Sequence, residues 1–454
     1  MQTIWAETAL LPSGWAENVR IDVDAAGRIS AIETNAVAAG VRVPMALPAP
    51  VNVHSHAFQR AMAGLTEQRG PDPSDSFWTW RQLMFRFLDR LTPEHIEAIT
   101  AFVQMEMLEA GYGASVEFHY LHHQPGGVHY DDIAQTSQRI VSAADLSGMG
   151  LCLLPVHYQY GGCDRRALTA GQIRFGNGMD DFLRLHESAA TAVREASADA
   201  AIGVAPHSLR AVGQDDLKAY ANTFSNGPIH MHLAEQRAEV DEVQQHWGAR
   251  PVDWALDHMQ LDARWCLIHC TQMTPDETVA LARSGAVAGL CPITESSLGD
   301  GIFDGVRWLE HGGSFAIGSD SNIRIALAEE LRTLDYSQRL RDGTRAALAT
   351  PQKSTGRRLF DEMLAGGAQA AGRDAGRIAV GAWADILALD TTSEHLWGRA
   401  GDTALDAWIF AGDDSLVRDV WSAGRHMVRD GKHIARDGIV AAYKRTIDAL
   451  KDAL

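Results

Sequence analysis

Apolar residues along this chain gather in short runs that end in polar residues, and stretches with helical period separate them. The runs fall at 45–56, 114–120, 151–158, 201–209, 228–235, 265–270, 286–292 and 314–322. The intervening segment TPEHIEAITAFVQMEMLEAG (92–111) repeats Ile96, Ile99, Val103 and Met107 on one face. Its Thr92 suits an N-cap, Pro93 a first turn and Gly111 a stop. Eight such strand–helix repeats predict a closed parallel (β/α)8 TIM barrel. An open doubly wound sheet usually carries a Gly-rich phosphate turn after its first strand. Here the first run leads instead into HSHAFQRAMAG (54–64).

The two ends read differently. TIWAETALL, NVRIDVD and RISAIET alternate or carry β-branched residues between turn residues, which predicts short strands. After the barrel, 326–372 reads as helical. Segments 376–390 and 416–434 read as strands, with Gly424 and Gly431 as turns, and the chain closes on a helix. The expected organisation is an α/β chain whose ends, 1–47 and 374–436, build a small composite β-sandwich. The barrel spans 48–373 and a C-terminal helix 437–454.

Composition narrows the function classes. With 40 basic and 58 acidic residues the net charge is −18. Such a field repels nucleic acid and anionic membrane surfaces, so neither is an expected partner. It also repels anionic substrates, so an acidic substrate needs local arginines. The five cysteines form no CxxC pair and no disulfide framework, which points to a reducing cytoplasm. The first residues lack the pattern of a signal peptide, and no apolar stretch approaches the ~18 residues of a membrane span.

Active sites of (β/α)8 barrels lie at the C-terminal strand ends, so those ends hold the candidate chemistry. The first ends in His54-Ser55-His56, and alternate residues of a strand share a face. The fourth ends in His207. The fifth ends in His230-Met231-His232, followed by Glu235. The sixth ends in His269 and the eighth in Asp320. His54, His56, His232 and Asp320 make a donor set suited to catalytic zinc, with iron as an alternative. His230 reads as structural. His119, His122 and His123 cluster in sequence, yet strand alternation turns His119 away from the face of Tyr120, and metal binding there is not expected.

In HxH (His54, His56), HxxE (His232, Glu235), His269 and Ser319-Asp320 the sequence resembles deaminases of the amidohydrolase superfamily. The strings VNVHSHAFQRAMAGLTE, FWTWRQLM, EFHYLHH, APHSLRAV, HMHLAEQ, CPITESSLGDGIF and GSDSN are similar to bacterial formimidoylglutamate deiminases of histidine degradation. The resemblance spans essentially the whole chain and departs at Ser296-Ser297. It implies deimination of N-formimino-L-glutamate to N-formyl-L-glutamate and ammonia. The alternative is a deaminase of another formimino acid or of a nucleobase or nucleoside on the same scaffold. One zinc per subunit is expected, because Lys218, the sole lysine before Lys353, reads as helical and cannot bridge two metals from a strand end. A homodimer is expected by analogy.

The resemblance also implies roles. Glu235, His269 and Asp320 are the catalytic candidates. Asp320 would accept a proton from the attacking water and Glu235 would protonate the departing nitrogen. His269 would hydrogen-bond the water or the tetrahedral centre. Gln59, Arg81, Tyr120, His207 and Arg210 are the substrate-binding candidates, with the two guanidinium groups serving the substrate's carboxylates. Trp78 and Trp80 are read as lid, subunit contact or core.

Overall fold

The computed structural model describes residues 2–65, 67 and 84–451. Arg81, Trp78 and Trp80 lie outside the described residues.

Both chain ends pair into one eight-stranded sheet. Its strands are β1 (Gln2–Leu11), β2 (Gly14–Val23), β3 (Ile29–Glu33), β4 (Val41–Pro48), and after the barrel β14 (Ile386–Leu389), β15 (Val417–Ser422), β16 (Arg425–Arg429) and β17 (Lys432–His433). The order is β17-β16-β15-β14-β4-β1-β2-β3. Only β1 and β4 run parallel; the other neighbours are antiparallel. The join between the two ends is β14 against β4, with Ile386 opposite Pro48 and Leu389 opposite Met45. Ile4, Ile21, Val43, Ile386 and Trp421 are buried in a core belonging to this sheet.

The barrel strands are β5 (Val51–Ser55), β6 (Ala114–His119), β7 (Gly150–His157), β8 (Ala201–Ile202) with β9 (Ala205–Pro206), β10 (Ile229–Leu233), β11 (Trp265–His269), β12 (Val287–Leu290) and β13 (Ser314–Ile317). They pair in parallel within two arcs. Single bridges close the ring, Val204 to Ile229 and Ser208 to His232 on one side and Ser55 to Asp320 on the other. The closure is thus made by the residues at the strand ends. Asp320 N–H donates to His54 O at 2.9 Å and His56 N–H to Asp320 O at 2.9 Å. Gly318 permits this contact, since a Cβ there would sit 2.7 Å from the His54 Cβ and 2.8 Å from its N.

The helix expected after Thr92 spans Pro93–Glu109. Thr92 Oγ1 caps the His95 N–H, and Gly111 follows at φ 105°. The first apolar run, 45–56, divides into two strands at Ala49-Pro50, where proline cannot donate to a ladder. In 376–390 only Ile386–Leu389 is strand, because Gly376 and Gly381 turn the chain at φ 74° and 90°. A helix at Asp402–Ala411, burying Ala404, Leu405, Trp408 and Ile409, was not read from the sequence.

Beneath the barrel a buried ion network joins it to the terminal sheet. Arg373 donates to Asp199 (2.9 Å) and Asp385 (2.7 Å), while Arg425 of β16 holds Asp199 through both its oxygens (2.7 and 2.8 Å). Asp385 Oδ1 also accepts the Ala423 N–H at 2.7 Å. The bidentate forks satisfy charges that would otherwise be costly to bury.

Candidate active site

Strand alternation and ring closure bring His54, His56, His232 and Asp320 to one point at the barrel mouth. His54 Nε2 lies 3.1 Å from His232 Nε2, and donor atoms of His54, His56 and His232 lie within 4.8 Å of one another. Asp320 Oδ1 is 3.5 Å from His54 Nε2 and 3.4 Å from His56 Nε2.

The tautomers suit a cation. His56 Nδ1 donates to Phe118 O at 2.9 Å and His232 Nδ1 to His207 O at 3.0 Å. Each bond places the ring's proton on Nδ1 and leaves the Nε2 lone pair facing inward, as ligating histidines are held. Burial lowers all three imidazoles, His54 to about 3, so they are neutral and able to ligate. Burial alone would raise the Asp320 carboxyl, but the imidazoles of His54, His269 and His56 around it hold it below the usual range. Three neutral nitrogens and one carboxylate oxygen fit a zinc-type ion.

His269 leans to the other side of Asp320. Its Nε2 is 3.8 Å from Asp320 Oδ2 and 3.9 Å from Glu235 Oε1, and its Nδ1 is 3.2 Å from Glu295 Oε1. Burial disfavours its charge, yet the carboxylates of Glu235, Glu295 and Asp320 outweigh burial and raise it well above the ordinary histidine value. Burial raises Glu235, partly offset by His269. Left-handed backbone recurs here without glycine, with φ 74° at His269, 46° at Asp320 and 52° at Ala234. Such conformations persist where surrounding contacts over-determine them, often at functional sites.

A cleft of about 560 Å³ opens over these groups, lined among others by Gln59, Tyr120, His207, Arg210, Glu235 and Asp320. Gln59 Nε2 donates to Tyr120 Oη at 2.8 Å, while its buried Oε1 has no partner among the described residues. The His207 ring lies 4.8 Å from that of His232. Arg210 is buried, with Glu239, Tyr158, Glu235 and Glu242 as the surrounding groups that hold its charge. The structure therefore gathers every expected site residue except Arg81, which is not among the described ones.

His230 stays out of this group, its Nε2 donating to Ala370 O at 2.7 Å. His119, His122 and His123 each turn to a separate partner: Thr136 Oγ1 (3.0 Å), Val156 O (2.9 Å) and Gly176 O (3.0 Å). Lys218 sits in helix Gln214–Thr223, 4.0 Å from Asp215.

Sequence reasoning missed the polar residues that hold the site. Asn52 Oδ1 accepts the Ser319 N–H at 3.2 Å and its Nδ2 donates to Ser319 Oγ at 2.7 Å. Asn322 donates to Ser55 Oγ at 3.2 Å, and Glu117 Oε1 accepts the Ala57 N–H at 2.7 Å. Burial pushes the Glu117 carboxyl up to about 8. The available signal was a polar residue inside an apolar strand run, as in PVNVHSH and ASVEFHY.

A barrel with this donor set at its mouth defines a class, and the chain belongs to the Amidohydrolase family, whose model matches residues 45–427. Residues 1–41 match the N-terminal domain of formimidoylglutamate deiminase HutF. The chain is 47% identical to the formimidoylglutamate deiminase of Pseudomonas aeruginosa, over 100% of both chains. A crystal structure of an amidohydrolase from Brucella melitensis superposes with a TM-score of 0.95 at 45% identity, covering 99% of this chain and 100% of that one. A zinc-bound adenosine deaminase from Xanthomonas campestris shares the fold at TM-score 0.82 and 20% identity, covering 99% and 98%.

Proposed function

We propose that this protein hydrolyses the formimino C=N bond of N-formimino-L-glutamate, giving N-formyl-L-glutamate and ammonia, as a step of histidine degradation. The carrying observation is the placement of Asp320, His269 and Glu235 beside the inward-facing histidines, with Arg210, Gln59, Tyr120 and His207 lining the same cleft. The full-length likeness to the P. aeruginosa deiminase supports the substrate.

His54, His56, His232 and Asp320 would hold one zinc(II), whose charge lowers the pKa of water towards neutrality. Asp320 takes a proton through the carboxylate face turned towards His269. Glu235, kept protonatable by burial, delivers a proton to the terminal nitrogen so that ammonia leaves. His269 donates from Nε2 to the oxygen that gains charge at the tetrahedral carbon. Gln59 offers its unpartnered Oε1 to the formimino N–H groups. Arg210, together with Arg81, takes the substrate carboxylates, while Tyr120 and His207 add neutral hydrogen bonds. The reading extends to a cytoplasmic homodimer, consistent with five buried, unpaired cysteines and no helix long and apolar enough to cross a membrane among the described residues.

The deciding experiment supplies zinc-loaded protein with N-formimino-L-glutamate, measures ammonia and identifies the carbon product by mass. Ammonia with N-formyl-L-glutamate supports the assignment. Absence of ammonia from fully metallated protein overturns it.

A further inference from the structure

Helix Arg237–Trp247 begins just after the HxxE motif and carries Glu239, which is 1% exposed. Its two carboxylate oxygens take consecutive backbone donors. Oε1 accepts the Ala234 N–H at 3.3 Å and Oε2 the Glu235 N–H at 3.1 Å. Ala234 stands at φ 52°, a conformation an alanine avoids unless it is held. The opposite side of the same turn is held from the loop after β11. Gln272 N–H donates to Ala234 O at 2.9 Å and Thr271 Oγ1 to Glu235 O at 2.7 Å. The Glu235 backbone is therefore clamped between a helix and a loop.

Glu239 and Arg210 are both buried. Among charged neighbours each is the other's foremost: Arg210 offsets the burial that raises Glu239, and Glu239 leads the groups that favour the Arg210 cation. Glu239 lies in the first turn, where its carboxylate can meet N–H groups of the preceding loop.

We propose that Glu239 is a positioning residue that fixes the Glu235 backbone and, through it, the placement of the proton carrier. This rests on the deiminase reading for the role of Glu235 as proton carrier.

Two variants of the full-length, zinc-loaded protein test the clamp, with glutarate as the dicarboxylate probe of substrate binding in calorimetry. Glu239→Gln keeps the shape but replaces one acceptor oxygen with an NH2 donor, so only one of the two backbone N–H groups keeps its partner. It should lower kcat about tenfold or more while leaving KM and glutarate affinity near wild type. Glu239→Asp keeps the charge but is one methylene too short to reach both N–H groups. Its kcat should fall about tenfold or more, with KM and glutarate affinity near wild type, and amide exchange at Ala234 and Glu235 should accelerate. Wild-type kcat and glutarate affinity in both variants overturn the proposal. So does a common loss of both quantities that follows only the folded fraction measured by thermal melting. If the wild-type protein releases no ammonia, the substrate reading fails by itself. The positioning role is then decided by amide exchange, and unchanged exchange in both variants overturns it.

Discussion

Asp320 divides its carboxylate between two tasks, holding Oδ1 3.4 Å from His56 Nε2 and Oδ2 3.8 Å from His269 Nε2. The division comes from where Asp320 sits. Its N–H and C=O are tied to His54 and His56 across the barrel seam, so its side chain leaves the backbone midway between the histidine group and His269. Asp320→Asn exchanges one oxygen for a donor and removes the charge. Turnover should drop by about 10²–10⁴-fold, the range for a lost general acid–base group. Steady-state kinetics measure this, and a variant at wild-type rate would remove Asp320 from the proposed role.

Glu235 stands on the far side of His269, 3.9 Å from its Nε2, and belongs to neither of the metal-compatible groupings that contain Asp320 or His232. Glu235→Gln should therefore lose about 10²–10⁴-fold in kcat while keeping its metal. Metal analysis of the purified variant beside its rate is the check. Metal lost in parallel with rate would make Glu235 a ligand.

Arg210→Met removes a buried guanidinium from the cleft. The expected effect is a raised KM for the acidic substrate, by about 10–150-fold, from a charge-assisted contact of about 1.5–3 kcal/mol. An unchanged kcat/KM would refute the placement.

How far the sequence reached follows from what period and position can encode. The barrel was legible because eight buried strands alternate with helical faces, and the metal-type residues were legible because His54, His56, His232, His269 and Asp320 terminate those strands. The pairing of Ile386 with Pro48 was legible only as a tendency of strand-like ends to meet, and register needs coordinates. Glu239 was hidden, because a glutamate in RAEVDEV reads as a solvated helix face until Ala234 and Glu235 are seen to point their N–H groups at it. Asn52 and Ser319, 267 residues apart, were hidden for the same reason. Side-chain bonds across a barrel seam leave no periodic trace.

Gly318 tests the seam directly. An added methyl would meet the His54 Cβ, N and O at 2.7, 2.8 and 2.9 Å. Neither strand can yield without shifting His54 or Asp320. Gly318→Ala should cost roughly 1–3 kcal/mol of stability, as overpacking does, and should lower metal occupancy along with kcat. Elemental analysis and a thermal melt read both. Full occupancy with wild-type rate would mean that the seam relaxes without moving His54.

The last prediction concerns the ion network under the barrel. Burial would raise the Asp199 carboxyl, but Arg425 and Arg373 outweigh it and hold it at about 2, below its ordinary value of 3.8. A depressed carboxyl stabilises the fold above its unfolded pKa, and that contribution disappears as pH falls through the folded value. Asp199→Asn leaves Arg425 without its bidentate carboxylate and Arg373 with the Asp385 carboxylate and the residue 199 carbonyl. Removing one member of a buried ion network costs about 3–5 kcal/mol. The denaturant midpoint of the variant should therefore lie well below wild type between about pH 5 and 8. The gap should stay constant across that window, begin to narrow below about pH 4 and continue to narrow through about pH 2, where wild-type Asp199 is half protonated. Paired unfolding curves along this pH series measure it. A gap that is absent at neutral pH would show that the terminal sheet is held to the barrel by its apolar contacts alone.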